Sequence, residues 1–131
     1  MKALKNMCRW FINLLFIAAI LLAAAVWLPK AFHIKAYVVK SSSMEPTIKV
    51  GSVIYVKAYD NDESISSGDI VSFHTGDVMV THRIMSVNLE NGTAITKGDG
   101  NEVCDSAPLP LSAIEGKVLF HIPAIGYLLL H

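Results

Sequence analysis

The chain has 131 residues, 53% of them hydrophobic, with 11 basic and 11 acidic side chains that cancel at neutral pH. That length allows one folded domain of modest core once an apolar N-terminal segment is set aside. The zero net charge hides an asymmetry: Lys2, Lys5, Arg9, Lys30 and Lys35 open the chain, whereas all 11 acidic residues lie at or beyond Glu45, so the downstream part is acidic and offers no basic face for nucleic acid.

Trp10 to Leu28 is apolar except for Asn13, and at about 1.5 Å per residue this run reaches close to the ~30 Å of a bilayer's hydrocarbon core. Trp10 and Trp27 stand at its two ends, where amphipathic rings favour the headgroup level, and Pro29 is predicted to stop the helix. A cleaved secretory signal would share the basic start and Ala23-Ala24-Ala25. The run is long for such a signal, however, and bulky Val26, Trp27 and Leu28 follow the small residues, so an uncleaved anchor in a lipid bilayer is the reading. Basic residues flank the span on both sides, Lys2, Lys5 and Arg9 before it and Lys30, Lys35 and Lys40 after it, so charge alone does not orient it. The chain therefore divides into an N-terminal stretch 1–9, a transmembrane helix 10–28, a linker 29–35 and a β domain 36–131. Cys8 and Cys104 would lie on opposite sides of the membrane, which forbids a bridge between them. Cys104 has no second Cys or His at ligand spacing and reads as a small buried hydrophobe; no metal or cofactor is predicted.

Beyond residue 36 the pattern changes to short runs rich in Val, Ile, Tyr and Phe, at 36–39, 52–59, 69–73, 78–87, 93–96 and 117–121. These read as strands. Turn signals separate them at Lys49-Val50-Gly51, Asn61-Asp62-Glu63, Ser66-Ser67-Gly68-Asp69, Thr75-Gly76-Asp77 and Asn91-Gly92, the last a hairpin signal. Regular strands with no helical pattern between them predict a mainly β domain, a compact sandwich or barrel.

Chemistry concentrates in a few places. Ser41-Ser42-Ser43-Met44-Glu45-Pro46-Thr47 is poor strand material and reads as a bend that holds a hydroxyl away from regular pairing, with Ser43 the candidate nucleophile. An ordinary Ser-rich turn is the plainer reading of such a cluster, and only the downstream pieces outweigh it. In 78–87 the period of two puts Val78, Val80, His82 and Ile84 on one face and Met79, Thr81, Arg83 and Met85 on the other, so His82 points with the apolar set. A lone imidazole there would be a quiet core histidine. Asp99, in Thr96-Lys97-Gly98-Asp99-Gly100-Asn101, and Asp105 are two carboxylates able to orient it, although Asp beside Gly is also plain turn chemistry. A serine hydroxyl is a weak nucleophile at neutral pH. It needs an imidazole to take its proton and gains from a carboxylate that fixes the imidazole's tautomer.

Ser41-Ser42-Ser43-Met44-Glu45-Pro46-Thr47, Gly68-Asp69-Ile70-Val71, Thr81-His82-Arg83-Ile84, Thr96-Lys97-Gly98-Asp99 and Gly116-Lys117-Val118 resemble, in order, the boxes of type I signal peptidases. The likeness is to the endoplasmic-reticulum-type branch, in which His stands where the common bacterial branch carries a general-base Lys. It implies a signal-peptidase-like antiparallel β-sheet catalytic domain behind an N-terminal transmembrane helix, and a serine endopeptidase that removes signal peptides from secreted preproteins. On this resemblance Ser43 is the nucleophile, His82 the general base and Asp105 the third member, with Asp99 in support. Ser41 matches the position whose hydroxyl joins the Ser43 N–H in an oxyanion hole. Two residues depart from the pattern: Ser42 stands where Gly is usual, and Gly100 replaces a common Asn. The apolar stretch Ile122 to His131 is too short to cross a bilayer, whereas some relatives continue into a second membrane helix.

The resemblance further implies a single-pass protein of the cell membrane, or of the endoplasmic reticulum membrane in a eukaryote, with a cytosolic N-terminus, the domain on the far side and accessory membrane subunits as possible partners. The preprotein would lie extended, its small residues before the cut in shallow pockets and its main chain paired to strand edges near Ala36 to Val39 or Val78 to His82. Two rivals are a catalytically inactive, membrane-tethered binding subunit and a Ser-Lys self-cleaving peptidase. The second would need a lysine at the place of His82.

Overall fold

The computed structural model describes residues 1–60 and 64–123; the turn signal Asn61-Asp62-Glu63 and most of the apolar C-terminal stretch lie outside them. The chain forms two units, divided after His33. The first is a single helix, α1 (Lys2–Ala31), long and apolar enough to cross a membrane. Apolar residues surround it, as suits a helix solvated by lipid. Pro29 does not stop it. The helix runs on to Ala31, closing with Phe32 N–H bonded to the Leu28 carbonyl. A proline deletes the hydrogen bond that its own nitrogen would have made to the Ala25 carbonyl and crowds that carbonyl, but within the last turn little helix remains to be broken.

From Ile34 onward the described chain is mainly β. The strands are β1 (Ile34–Val38), β2 (Val53–Ala58), β3 (Ile70–Thr75), β4 (Val78–Asn88), β5 (Thr93–Lys97), β6 (Leu109–Pro110) and β7 (Ile114–Ile122), with a single 3-10 turn at Leu111–Ala113. They form one antiparallel sheet in the order β1-β2-β7-β3-β4-β5-β6. Each of the six apolar runs read as strands is one. The unforeseen strand is β6, flanked and capped by Pro108 and Pro110. Proline cannot donate to a ladder, and β6 survives because it occupies the sheet's edge, where one side of the backbone needs no partner.

Two apolar clusters hold the sheet. Val71, Phe73, Ile84, Ala94, Leu109 and Ile114 form one. Met44 and Ile48, from the loop between β1 and β2, join Ile54 and Val56 in the other. The loop that carries the three serines is thus anchored at both ends of its central turn by side chains at most 2% exposed, each contributing about 1.5–3 kcal/mol of burial. On β4 the alternation read from the sequence holds through His82 and Ile84, both buried. A bulge between Ile84 and Ser86 then shifts the register against β5. The extra residue flips the parity, so that odd-numbered Val87 rather than even-numbered Ser86 packs on the core.

Candidate active site

The serine segment is a compact turn. Glu45 N–H bonds the Ser42 carbonyl at 3.0 Å and Ile48 N–H the Met44 carbonyl at 2.9 Å. Ser42 occupies its place without a left-handed backbone, since His33 is the single non-glycine residue of positive φ among those described; the freedom of a glycine is not used there. Instead, glycine matters on the facing loop. A Cβ at Gly98 would collide with the Ser43 carbonyl oxygen, and one at Gly100 would come within 2.9 Å of the carbonyls of Ser42 and Glu45. With no side chains in the way, the Gly100 N–H donates to the Ser43 carbonyl at 2.8 Å. The loop after β5 therefore lies directly on the serine turn and fixes the backbone beneath the hydroxyl.

His82, 8% exposed, reaches from β4 toward Asp105, and its Nδ1 lies 2.7 Å from Asp105 Oδ2. A carboxylate can only accept, so Nδ1 carries the hydrogen and Nε2 of the neutral ring is left with a free lone pair. The ring also meets Phe73 edge-on, the centroids 6.2 Å apart. Asp105 is held in turn by Thr96, whose hydroxyl donates to the same Oδ2 at 2.6 Å and whose carbonyl accepts the Asp105 N–H at 2.8 Å. Ser43, Ser41 and His82 line one groove of about 840 Å³, bounded by residues 36–41, 43, 44 and 77–82. Within it the Ser43 hydroxyl meets the Ser41 hydroxyl at 3.3 Å, and no hydrogen bond joins Ser43 to His82. A second cavity, of about 460 Å³, reaches His82 and Asp105 from the side of residues 105–110.

Asp99 does something other than cap its own turn. Its carboxylate receives Arg83 Nε at 2.8 Å, Arg83 Nη2 at 2.7 Å and the Thr47 hydroxyl at 2.6 Å. The remaining nitrogen of the fork, Arg83 Nη1, donates to the Gly68 carbonyl at 2.8 Å. Adjacent residues on β4 thus serve different carboxylates from opposite faces, His82 toward Asp105 and Arg83 toward Asp99. The two-pronged Arg83 bond ties β4, the loop after β5 and, through Thr47, the serine turn into one unit. Sequence reasoning does not single out Arg83, Thr47 or Thr96 for these roles. The parity that turns His82 inward also sets Arg83 on the other face, but nothing local reveals which acid it meets. Cys104 is exposed rather than buried, since it lies in the loop after β5 with no strand to turn it inward. Among the described residues no group of three or more His, Cys, Asp or Glu has the geometry to hold a metal.

Residues 8–98 match the family described as "Signal peptidase, peptidase S26". The chain belongs to the signal peptidase family. It is similar to signal peptidase I W of Bacillus subtilis, at 36% identity over 84 residues, 62% of this chain and 44% of that protein. It is similar also to two signal peptidase complex catalytic subunits. The one from Lodderomyces elongisporus is 31% identical over 127 residues, 86% of this chain and 74% of that protein. The one from Ogataea parapolymorpha is 29% identical over 115 residues, 69% of this chain and 62% of that protein. The chain thus spans under half of the Bacillus relative and between three-fifths and three-quarters of the two yeast ones. The serine turn and His82 fall inside the segment matched to the family, and Asp99 and Asp105 lie just beyond it.

The Arg83–Asp99 pair predicts an acid dependence of stability. Hydrogen bonds from Arg83 above all, and then from Thr47, hold the Asp99 carboxyl below the usual range despite its burial. A carboxyl depressed in the folded state contributes stability that is complete above its unfolded pKa of about 3.9 and lost as pH falls through the folded value. The melting temperature of the wild-type protein should therefore exceed that of Asp99→Asn near neutrality, with the gap narrowing below about pH 4. Thermal melts at a series of pH values check this, and a constant gap would show that the carboxylate's charge is not what counts.

Proposed function

We propose that this chain is a membrane-tethered serine endopeptidase that removes signal peptides from secreted preproteins, with Ser43 as nucleophile, His82 as general base and Asp105 orienting the imidazole. The observation that carries the reading is the 2.7 Å bond from His82 Nδ1 to Asp105, which leaves Nε2 ready to accept a proton at the groove that Ser43 also lines. In the reaction the Ser43 hydroxyl attacks the scissile carbonyl as His82 Nε2 takes its proton, and the imidazolium returns that proton to the departing amine. Water, activated in the same way, releases the acyl group. Ser41, whose hydroxyl lies beside that of Ser43, would turn to donate to the oxyanion together with the Ser43 N–H. Asp99 acts through Arg83 and Thr47 on the framework around the serine turn.

The substrate would add a strand to the sheet. β1 pairs with β2 on one side only and forms one edge of the sheet, β6 forming the other. Val39 directs its N–H and carbonyl to Ser52 and Gly51, so by the alternation of an antiparallel ladder the main-chain groups of Ala36 and Val38 face outward. Backbone pairing tolerates diverse sequences and leaves specificity to the pockets, as a peptidase with many preprotein substrates requires. α1 would span the bilayer with the N-terminus cytosolic, keeping the groove at the surface where the substrate's own apolar segment is embedded. Accessory membrane subunits are compatible with this arrangement.

A cleavage assay on a model preprotein in detergent tests the activity, and two carboxylate variants test the roles. Asp105→Asn should keep its melting temperature while turnover falls, because the amide misorients His82. Asp99→Asn should lose both stability and activity, because it unties the Arg83 bridge. If Asp105→Asn cleaves at the wild-type rate while Asp99→Asn melts normally and is inactive, the third role passes to Asp99. If the wild-type chain binds preprotein without cutting it, the reading as an inactive binding subunit replaces this one.

A further inference from the structure

Thr96, next to last in β5, is one of the least exposed polar side chains among the described residues, at 1%. Its hydroxyl donates to Asp105 Oδ2 at 2.6 Å, the oxygen that also receives His82 Nδ1–H at 2.7 Å. Its carbonyl takes the Asp105 N–H at 2.8 Å. Asp105 itself belongs to the irregular segment between β5 and β6, where no ladder fixes the backbone and the carboxylate would be free to rotate about its side-chain torsions. One residue thus holds Asp105 at both ends, main chain and carboxylate.

We propose that Thr96 is a positioning residue for the His82–Asp105 pair, an inference that rests on the serine-histidine reading given above. Two donors converging on Oδ2 fix the plane of the carboxylate so that this oxygen, and not its twin, faces the imidazole. With the carboxylate fixed, His82 keeps the hydrogen on Nδ1 and the lone pair on Nε2 toward the groove. The arrangement needs a buried hydroxyl aimed at Asp105 and gains from a branch that packs in a strand. Threonine supplies both, and β5 sets its direction, since Thr96 stands opposite Ile84 in the register, two residues along β4 from His82.

The test uses the full chain in detergent and a model preprotein, with Thr96→Val, Thr96→Ala and Thr96→Ser made in the wild type and Thr96→Val made also in the Asp105→Asn background. Valine keeps the branched shape and removes the donor, and alanine is a second hydroxyl-free variant that cannot overfill the site. Both should lower kcat by about tenfold with KM unchanged, and Ser should restore most of it. In the Asp105→Asn background Thr96→Val should cost nothing further, because residues that act through one another are not additive. A merely structural role would instead lower the melting temperature of every variant and multiply with the loss from Asp105→Asn. Equal losses in both backgrounds, a Ser variant as slow as Val, or a Val variant with wild-type kcat would each overturn the proposal. Wild-type activity in Asp105→Asn alone would overturn the serine-histidine-aspartate reading itself, whatever Thr96 does.

Discussion

Ser43→Ala is expected to abolish preprotein cleavage while leaving the fold intact, with turnover reduced by about 10³-fold or more. The fold should tolerate the change because the turn is held by everything except this hydroxyl. Met44 and Ile48 bury its two ends in the core, and the Gly100 N–H grips the Ser43 carbonyl, a main-chain group that alanine retains. Alanine removes the 3.3 Å approach to the Ser41 hydroxyl, which is long for a hydroxyl pair and carries little stability. Cleavage rate and melting temperature measured on the same preparation decide the matter. A folded Ser43→Ala protein that turns over at a comparable rate would exclude Ser43 as the nucleophile.

His82→Ala should cost about as much as Ser43→Ala, and the two together no more than either, since members of one catalytic unit fail as a unit. The carboxylate left behind keeps the Thr96 hydroxyl and is 29% exposed, so it is rehydrated rather than stranded and the fold should survive. The rival base is Lys97. It pairs with Arg83 in the register between β4 and β5, which puts its side chain on the Arg83 face and on the opposite side of the strand from His82. Lys97→Ala is therefore expected to retain most activity. Steady-state rates for the two alanine variants, each checked by a thermal melt, separate the alternatives. Should a folded Lys97→Ala protein be as impaired as His82→Ala, a serine-lysine pair would have to replace the imidazole.

Glu115 belongs to the same question of what holds the groove's edge. Its carboxylate takes the Tyr37 hydroxyl at 2.6 Å, Lys35 Nζ at 3.1 Å and His74 Nε2 at 2.7 Å, tying the edge strand β1 to β7 and β3. Burial and this carboxylate raise the Tyr37 hydroxyl to about 12, so it stays a donor throughout the physiological range. The strand proposed to pair with substrate is thereby braced on its inner side while its outer edge is left open.

Much of this protein is written in local patterns that need no partner to be legible. An apolar run of membrane length, strand runs of period two bounded by glycine turns, the inward direction of His82 and the hydroxyl-rich bend around Ser43 are each consequences of neighbouring residues acting on one another through backbone sterics and burial. What the local pattern could not carry is which side chains meet across the sheet. Asp99 and Asp105 are both acids in one loop after β5, and nothing in their immediate sequence separates the one that bonds Arg83 and Thr47 from the one that bonds His82 and Thr96. That division depends on the opposite faces of β4 that His82 and Arg83 occupy and on the loop lying against the serine turn, which Gly98 and Gly100 permit. The prolines show the same limit. Pro29 lies inside a helix because so little of the helix follows it that one lost bond breaks nothing further, and Pro110 lies inside a strand because that strand is at an edge of the sheet; a chain's ends and edges exist only once it has folded.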